Sequence, residues 1–208
     1  MPAAGNRLAW MDAETTGTVA HQSHLLEIAC FITDTDGTVI SDEPFHAVIG
    51  HSDEDLSRMY EQARREVQEM HTASGLWERA RFGLPLDQVE RELLAHIKRY
   101  CPEPDYAHIA GNTVRLDLNF IEEHMPSIAD YLHYRMLDVS SLALLAKWHF
   151  GVEIQKASDH TALVDITESL EQLRLLWGPI AQAAKDAGVT FDLATPRARE
   201  STSVALVA

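Results

Sequence analysis

Over the first fifty residues the hydrophobic positions come in short runs, and further along they recur at intervals of three and four. Leu8 to Asp12 (LAWMD), Leu26 to Thr33 (LEIACFIT) and Thr38 to Val48 read as three strands. Asp36-Gly37, between the second and third, signals a hairpin, so the sheet begins antiparallel. Ser52 and Asp55 form a capping pair ahead of a charged stretch without Gly or Pro, which predicts one helix from Ser52 towards Met70. Pro85 opens another, with Leu86, Val89, Leu93, Ile97 and Tyr100 at helical spacing before Pro102 and Pro104 stop it. Ala107 to Ala110 reads as a buried strand ending in a Gly111-Asn112 turn; Leu116, Phe120 and Ile121 suggest a short helix after it. Met136 to Val139 reads as a fifth strand. Helices from about Ser140 to His149 and about Thr161 to Trp177 follow, the last ended by Gly178-Pro179. Strands first, then strands alternating with helices, predict an α/β domain with a mixed sheet covered by helices. That domain is expected to span residues 1–187, and 188–208, where periodicity fades and Ser, Thr and Arg accumulate, to form a loosely attached tail.

Composition narrows the reading. With 208 residues and 46% hydrophobic content the chain can bury an ordinary core without a disulfide framework, and Cys30 and Cys101 read as reduced thiols. No basic stretch precedes an apolar core at Met1 to Asn6, and no apolar run approaches the ~18 residues of a membrane span, so a cytoplasmic protein is expected. Seventeen Lys and Arg against 32 Asp and Glu leave a net charge of -15, a field that repels long polyanions and argues against long duplex DNA as a partner. Short oligonucleotides remain open, because they carry few phosphates and divalent cations can reverse the local sign.

The candidate chemistry is acidic. Asp12 and Glu14, two apart at the end of the first strand, project to one face, and such a pair repels itself unless solvated, protonated or neutralised by a cation. D-x-E alone is a weak motif. Asp117 adds weight, as it follows the turn after an inner strand, where α/β sheets place ligands. Asp165 lies between Val164 and Ile166 near the start of the last helix, where an unpaired charge would be penalised. His160 precedes Asp165 by five residues, about 140° around a regular helix, and so belongs on the loop leading into it. Asp138 stands before a helix and reads as a cap.

In this order the motifs resemble the exonucleases named for three aspartates, a glutamate and a histidine (the DEDDh group), and among them the oligoribonuclease family. The likeness rests on LAWMDAETTG (8–17), MHTASGL (70–76), GNTVRLDLNF (111–120), HYRMLDVSSL (133–142) and DHTALVDITESLEQLR (159–174). It implies a ribonuclease-H-like mixed five-stranded sheet and 3′-to-5′ removal of nucleotides from short single-stranded oligoribonucleotides by a homodimer. By resemblance Asp12, Glu14, Asp117 and Asp165 match metal-binding carboxylates and His160 a general base. Four carboxylates at about -4 would be offset by two Mg²⁺ or Mn²⁺ ions at about +4, which stabilise the attacking and leaving oxygens. The resemblance also matches His71 to a pocket residue, Thr113 and Ser140 to hydroxyls near a 5′ phosphate, and Tyr134 and Arg135 to residues reaching the partner subunit's substrate. Thr18 replaces an apolar wedge, Glu66 a frequent tryptophan, and His21 and His24 acidic and apolar residues, so altered selectivity with an intact hydrolytic set is expected. The competing readings are an exonuclease for single-stranded DNA or RNA ends, disfavoured by the acidic charge, and a non-catalytic nucleotide-binding module.

Overall fold

The computed structural model describes residues 6–154 and 161–186. Five strands form one mixed sheet in the order β3-β2-β1-β4-β5. They are β1 (Arg7–Thr15), β2 (Leu25–Thr33), β3 (Phe45–Val48), β4 (Ala107–Gly111) and β5 (His133–Asp138). β2 runs antiparallel to β1 and to β3, whereas β4 is parallel to β1 and to β5. The helices are α1 (Asp53–Gln62), α2 (Arg65–Ala73), α3 (Leu76–Arg79), α4 (Leu86–Tyr100), α5 (Arg115–His124), α6 (Pro126–Ala129), α7 (Val139–Phe150) and α8 (Ala162–Asp186). A mixed five-stranded sheet flanked by helices is the fold class expected from the sequence.

Alternation along β1 divides the core. Ala9 and Met11 face α4 and α5, packing with Ile28, Cys30, Val89, Leu93, Ile97 and Ile121. Leu8 and Trp10 face the other way, onto Ala162, Ile166, Leu170 and Leu173 of α8. β2 is buried at every position, as a strand covered on both faces requires. Cys30 and Cys101 are buried free thiols, both pushed up by burial.

Three expectations need correction. The Asp36-Gly37 reversal exists, with Gly37 at φ 81°, but only Phe45–Val48 of the expected Thr38–Val48 strand forms a continuous ladder. Beyond the Thr33–Val39 bridge, the Ser41 hydroxyl takes the Ile32 N–H, and Pro44 has no N–H to offer. The expected Ser52–Met70 helix is two helices. Ser52 caps α1 as expected, yet Ala63 and Arg64 are extended (ψ 148° and 152°), and the Gln68 amide donates to the freed Tyr60 carbonyl. Finally, α8 runs through Gly178-Pro179 to Asp186. Pro179 interrupts one backbone bond on an exposed stretch beyond the sheet, where water can serve the carbonyl it leaves. The short α3 and α6 had no periodic signal, and the 188–208 tail lies outside the described residues.

Because Ile166 is fully buried one residue from Asp165, Ile166→Ala should lower the unfolding free energy by about 2–4 kcal/mol in urea titrations monitored by tryptophan fluorescence.

Candidate active site

Asp12 and Glu14 continue the parity of Leu8 and Trp10, so both carboxylates turn towards α8. Asp165 stands in the first turn of α8 and completes a cluster: oxygens of Asp12, Glu14 and Asp165 all lie within 4.8 Å of one another. Asp117, buried in the first turn of α5, arrives from across the strand end, and its Oδ1 accepts the Ala13 N–H at 3.0 Å. Gly111 lets β4 close on β1 here, for a Cβ there would stand 3.0 Å from the Met11 carbonyl oxygen. The four acidic positions thus meet at the carboxyl ends of adjacent parallel strands.

This crowding has an electrostatic cost. Glu14 is only 7% exposed, and its carboxyl is raised to about 7, first by burial and then by Asp165, Glu27 and Asp117, with Arg79 opposing. Behind it sits His71, fully buried, whose Nε2–H donates to the Thr15 carbonyl at 2.9 Å while Nδ1 lies 3.8 Å from Glu14 Oε2. His71 also borders a cleft of about 370 Å³ lined by Tyr60, Trp77 and Arg81. Thr18 and Glu66 are exposed.

Glu27 was not anticipated. It pairs directly across from Glu14 and is equally hidden, yet it has the opposite character. Burial works against its ionisation, but hydrogen bonds from His46 (2.7 Å) and Arg79 (2.6 Å) outweigh that and hold it at about 2. The Ala162 N–H at the start of α8 also points to Glu27 Oε2, at 3.5 Å. A lone carboxylate inside the apolar run LLEIACFIT was the available signal, since a charge in a strand buried on both faces must be paired.

Thr113, at φ 53°, donates its N–H to Asp138 Oδ1 (3.0 Å) and Ser140 Oγ (2.8 Å), and the two hydroxyls lie 3.2 Å apart. Asp138 caps α7 through the Ser140 N–H, the role expected of it. Asn112 extends the network, bonding Ser169 of α8, which in turn donates to the Asp165 carbonyl. Tyr134 and Arg135 stand apart on the edge strand β5, exposed. His160 lies outside the described residues.

An all-oxygen donor set suits a divalent cation such as Mg²⁺ or Mn²⁺. The 4.8 Å limit is little more than the ~4.2 Å between opposite oxygens around magnesium, so small side-chain rotations would bring Asp12, Glu14 and Asp165 into a shared shell.

Fold and site together define a ribonuclease-H-like domain with an acidic cluster that could hold a divalent cation. The exonuclease family model (RNase_T) matches residues 9–173. A probable oligoribonuclease of Schizosaccharomyces pombe is 41% identical over 80% of this chain, which spans 66% of that protein. An oligoribonuclease of Pseudomonas syringae pv. tomato is 38% identical over 80% of this chain and 92% of its own length. Escherichia coli exonuclease I, solved in complex with a 5cy-dT13 oligonucleotide, superposes with a TM-score of 0.63 at 16% identity, over 88% of this chain and 43% of that one. The chain belongs to the exonuclease family and, within it, to the oligoribonucleases.

A carboxyl raised from 4.5 to about 7 binds its proton more tightly in the folded state, so folding stability falls as pH rises from about 4.5 to 7. In metal-free protein Glu14→Gln should therefore raise Tm at pH 8, by the equivalent of about 3 kcal/mol, and leave it nearly unchanged at pH 4.5. Differential scanning calorimetry at the two pH values checks this.

Proposed function

We propose that the chain is a divalent-metal-dependent 3′-to-5′ exoribonuclease that degrades short single-stranded oligoribonucleotides to 5′-mononucleotides. The carrying observation is the convergence of Asp12, Glu14 and Asp165 within 4.8 Å, with Asp117 bonded to the strand between them, in a chain of the oligoribonuclease family.

Each residue has a task. Asp12, Glu14, Asp117 and Asp165 would hold two ions, Mg²⁺ or Mn²⁺. Bound there, the cations would neutralise the scissile phosphate and stabilise charge on the attacking and leaving oxygens. His160, two positions before Ala162 in the sequence, takes the proton from the attacking water as a neutral imidazole. Thr113 and Ser140, locked together by Asp138, present hydroxyls to the 5′ phosphate. His71 fixes the strand end behind Glu14 and borders the pocket. Thr18 and Glu66 supply no apolar wedge or stacking ring, so selectivity between lengths is weaker than the family pattern implies.

The working form is a homodimer in the cytoplasm. Two observations support the dimer. Trp148 and Phe150 at the end of α7 are 68% and 75% exposed, and Leu144 and Leu145 of the same helix are about half exposed. Tyr134 and Arg135 are exposed on the edge strand β5, suited to a neighbouring subunit's substrate. Among the described residues no helix is long and apolar enough to cross a membrane.

With Mn²⁺ present, the protein should release nucleotides from end-labelled RNAs of two to about twenty residues, fastest from the shortest, and more slowly from matching DNA. EDTA or Asp12→Ala should lower the rate by at least about a thousandfold; nucleotide release persisting in both would refute the reading. Trp148→Glu should weaken association at least about a hundredfold, seen as a monomer in analytical ultracentrifugation.

A further inference from the structure

β5 does not pair evenly with β4. His108 is opposite His133 and Ala110 opposite Leu137, so Ile109 alone faces Tyr134, Arg135 and Met136. Such a bulge takes backbone groups out of the ladder and turns side chains outward. One of those groups is satisfied locally: the Arg135 N–H donates to His133 Nδ1 at 2.9 Å. An imidazole nitrogen that accepts carries no proton, so this contact requires the ring hydrogen on Nε2.

The ring of His133 is itself clamped. His108 stacks on it with centroids 4.0 Å apart and planes 14° from parallel, and Tyr134 stacks on it at 4.5 Å and 25°. The Arg135 guanidinium lies 5.2 Å from the Tyr134 ring centroid. A continuous stack therefore runs from the half-buried His108 through His133 to Tyr134, which is 74% exposed. Burial, above all, pushes the His108 imidazole below its ordinary range, which favours its neutral form.

We propose that His133 and His108 are positioning residues for substrate binding. His133 locks the bulge through the Arg135 N–H, His108 backs its ring, and together they hold Tyr134 and Arg135 in one outward arrangement before RNA arrives. Preorganisation of this kind lowers the ordering cost of binding without touching the hydrolytic step. The inference rests on Tyr134 and Arg135 being substrate contacts.

Steady-state kinetics on a two-nucleotide RNA test it, with sedimentation and thermal melts confirming that each variant remains a folded dimer. His133→Phe keeps the ring and loses the acceptor, whereas His133→Asn keeps an acceptor two residues before Arg135, the spacing of an Asx turn. His108→Ala removes the backing ring, and His108→Phe restores it. His133→Phe and His108→Ala should raise KM by about five- to tenfold with kcat nearly unchanged. His133→Asn and His108→Phe should recover much of that loss. Nitrogen-15 imidazole spectra should show the wild-type His133 as the Nε2–H tautomer. If Tyr134→Ala and Arg135→Ala raise KM but the histidine variants do not, the positioning role is wrong. If Tyr134→Ala and Arg135→Ala leave KM unmoved, the substrate contacts fail, and the proposal fails with them. A loss confined to kcat would also overturn it.

Discussion

The organising constraint is the burial of negative charge at the end of β1. Two glutamates, Glu14 and Glu27, face one another across the β1–β2 ladder, and both are almost wholly hidden from solvent. Their surroundings separate them. Arg79 and His46 bond directly to Glu27 and keep it ionised, so it acts as a strut between β2, α3 and the start of α8. Glu14 is driven towards the neutral form, first by burial and then by its acidic neighbours, unless a cation arrives. The same few ångströms thus contain a settled charge and an unsettled one, and the unsettled one is what makes the site receptive to a divalent metal.

Much of the surrounding architecture holds that repulsion in place. α8 supplies Asp165 and is anchored by Ile166, Leu170 and Leu173 against the sheet. α5 supplies Asp117, tied to the Ala13 amide. From the far side the Asn112, Thr113, Asp138 and Ser140 network connects the end of β4 to α7 and, through Ser169, to the backbone of Asp165. Removing any one of these elements would let like charges move apart, which is why an acidic site of this kind needs a whole layered domain rather than a loop.

The edge strand has a separate economy. β5 satisfies its irregular backbone with an imidazole rather than a ladder partner, and its exposed tyrosine is ordered by stacking. An edge blunted by a bulge resists casual strand addition, yet it still offers a defined polar and aromatic surface. The helix that follows it directly in the chain, α7, ends in exposed Trp148 and Phe150.

The alternation of LAWMDAET, the uninterrupted run LLEIACFIT and the periodic helices were enough to predict five strands and their mixed sheet, because burial on one or two faces writes a period into the chain. The order of acidic motifs likewise singled out Asp12, Glu14, Asp117 and Asp165 as the positions to watch. Other features had no local signature. The break at Ala63 and Arg64 comes without Gly or Pro, and it accompanies a turn that buries His71 behind Glu14. α8 passes through Gly178-Pro179 because a broken bond on its exposed side costs little there. Glu27 met Glu14, and His133 met His108, only when separate strands paired in one particular register. Periodicity records which face of an element is buried; which charges and rings then confront one another is decided by register and packing, and those are properties of the assembled sheet.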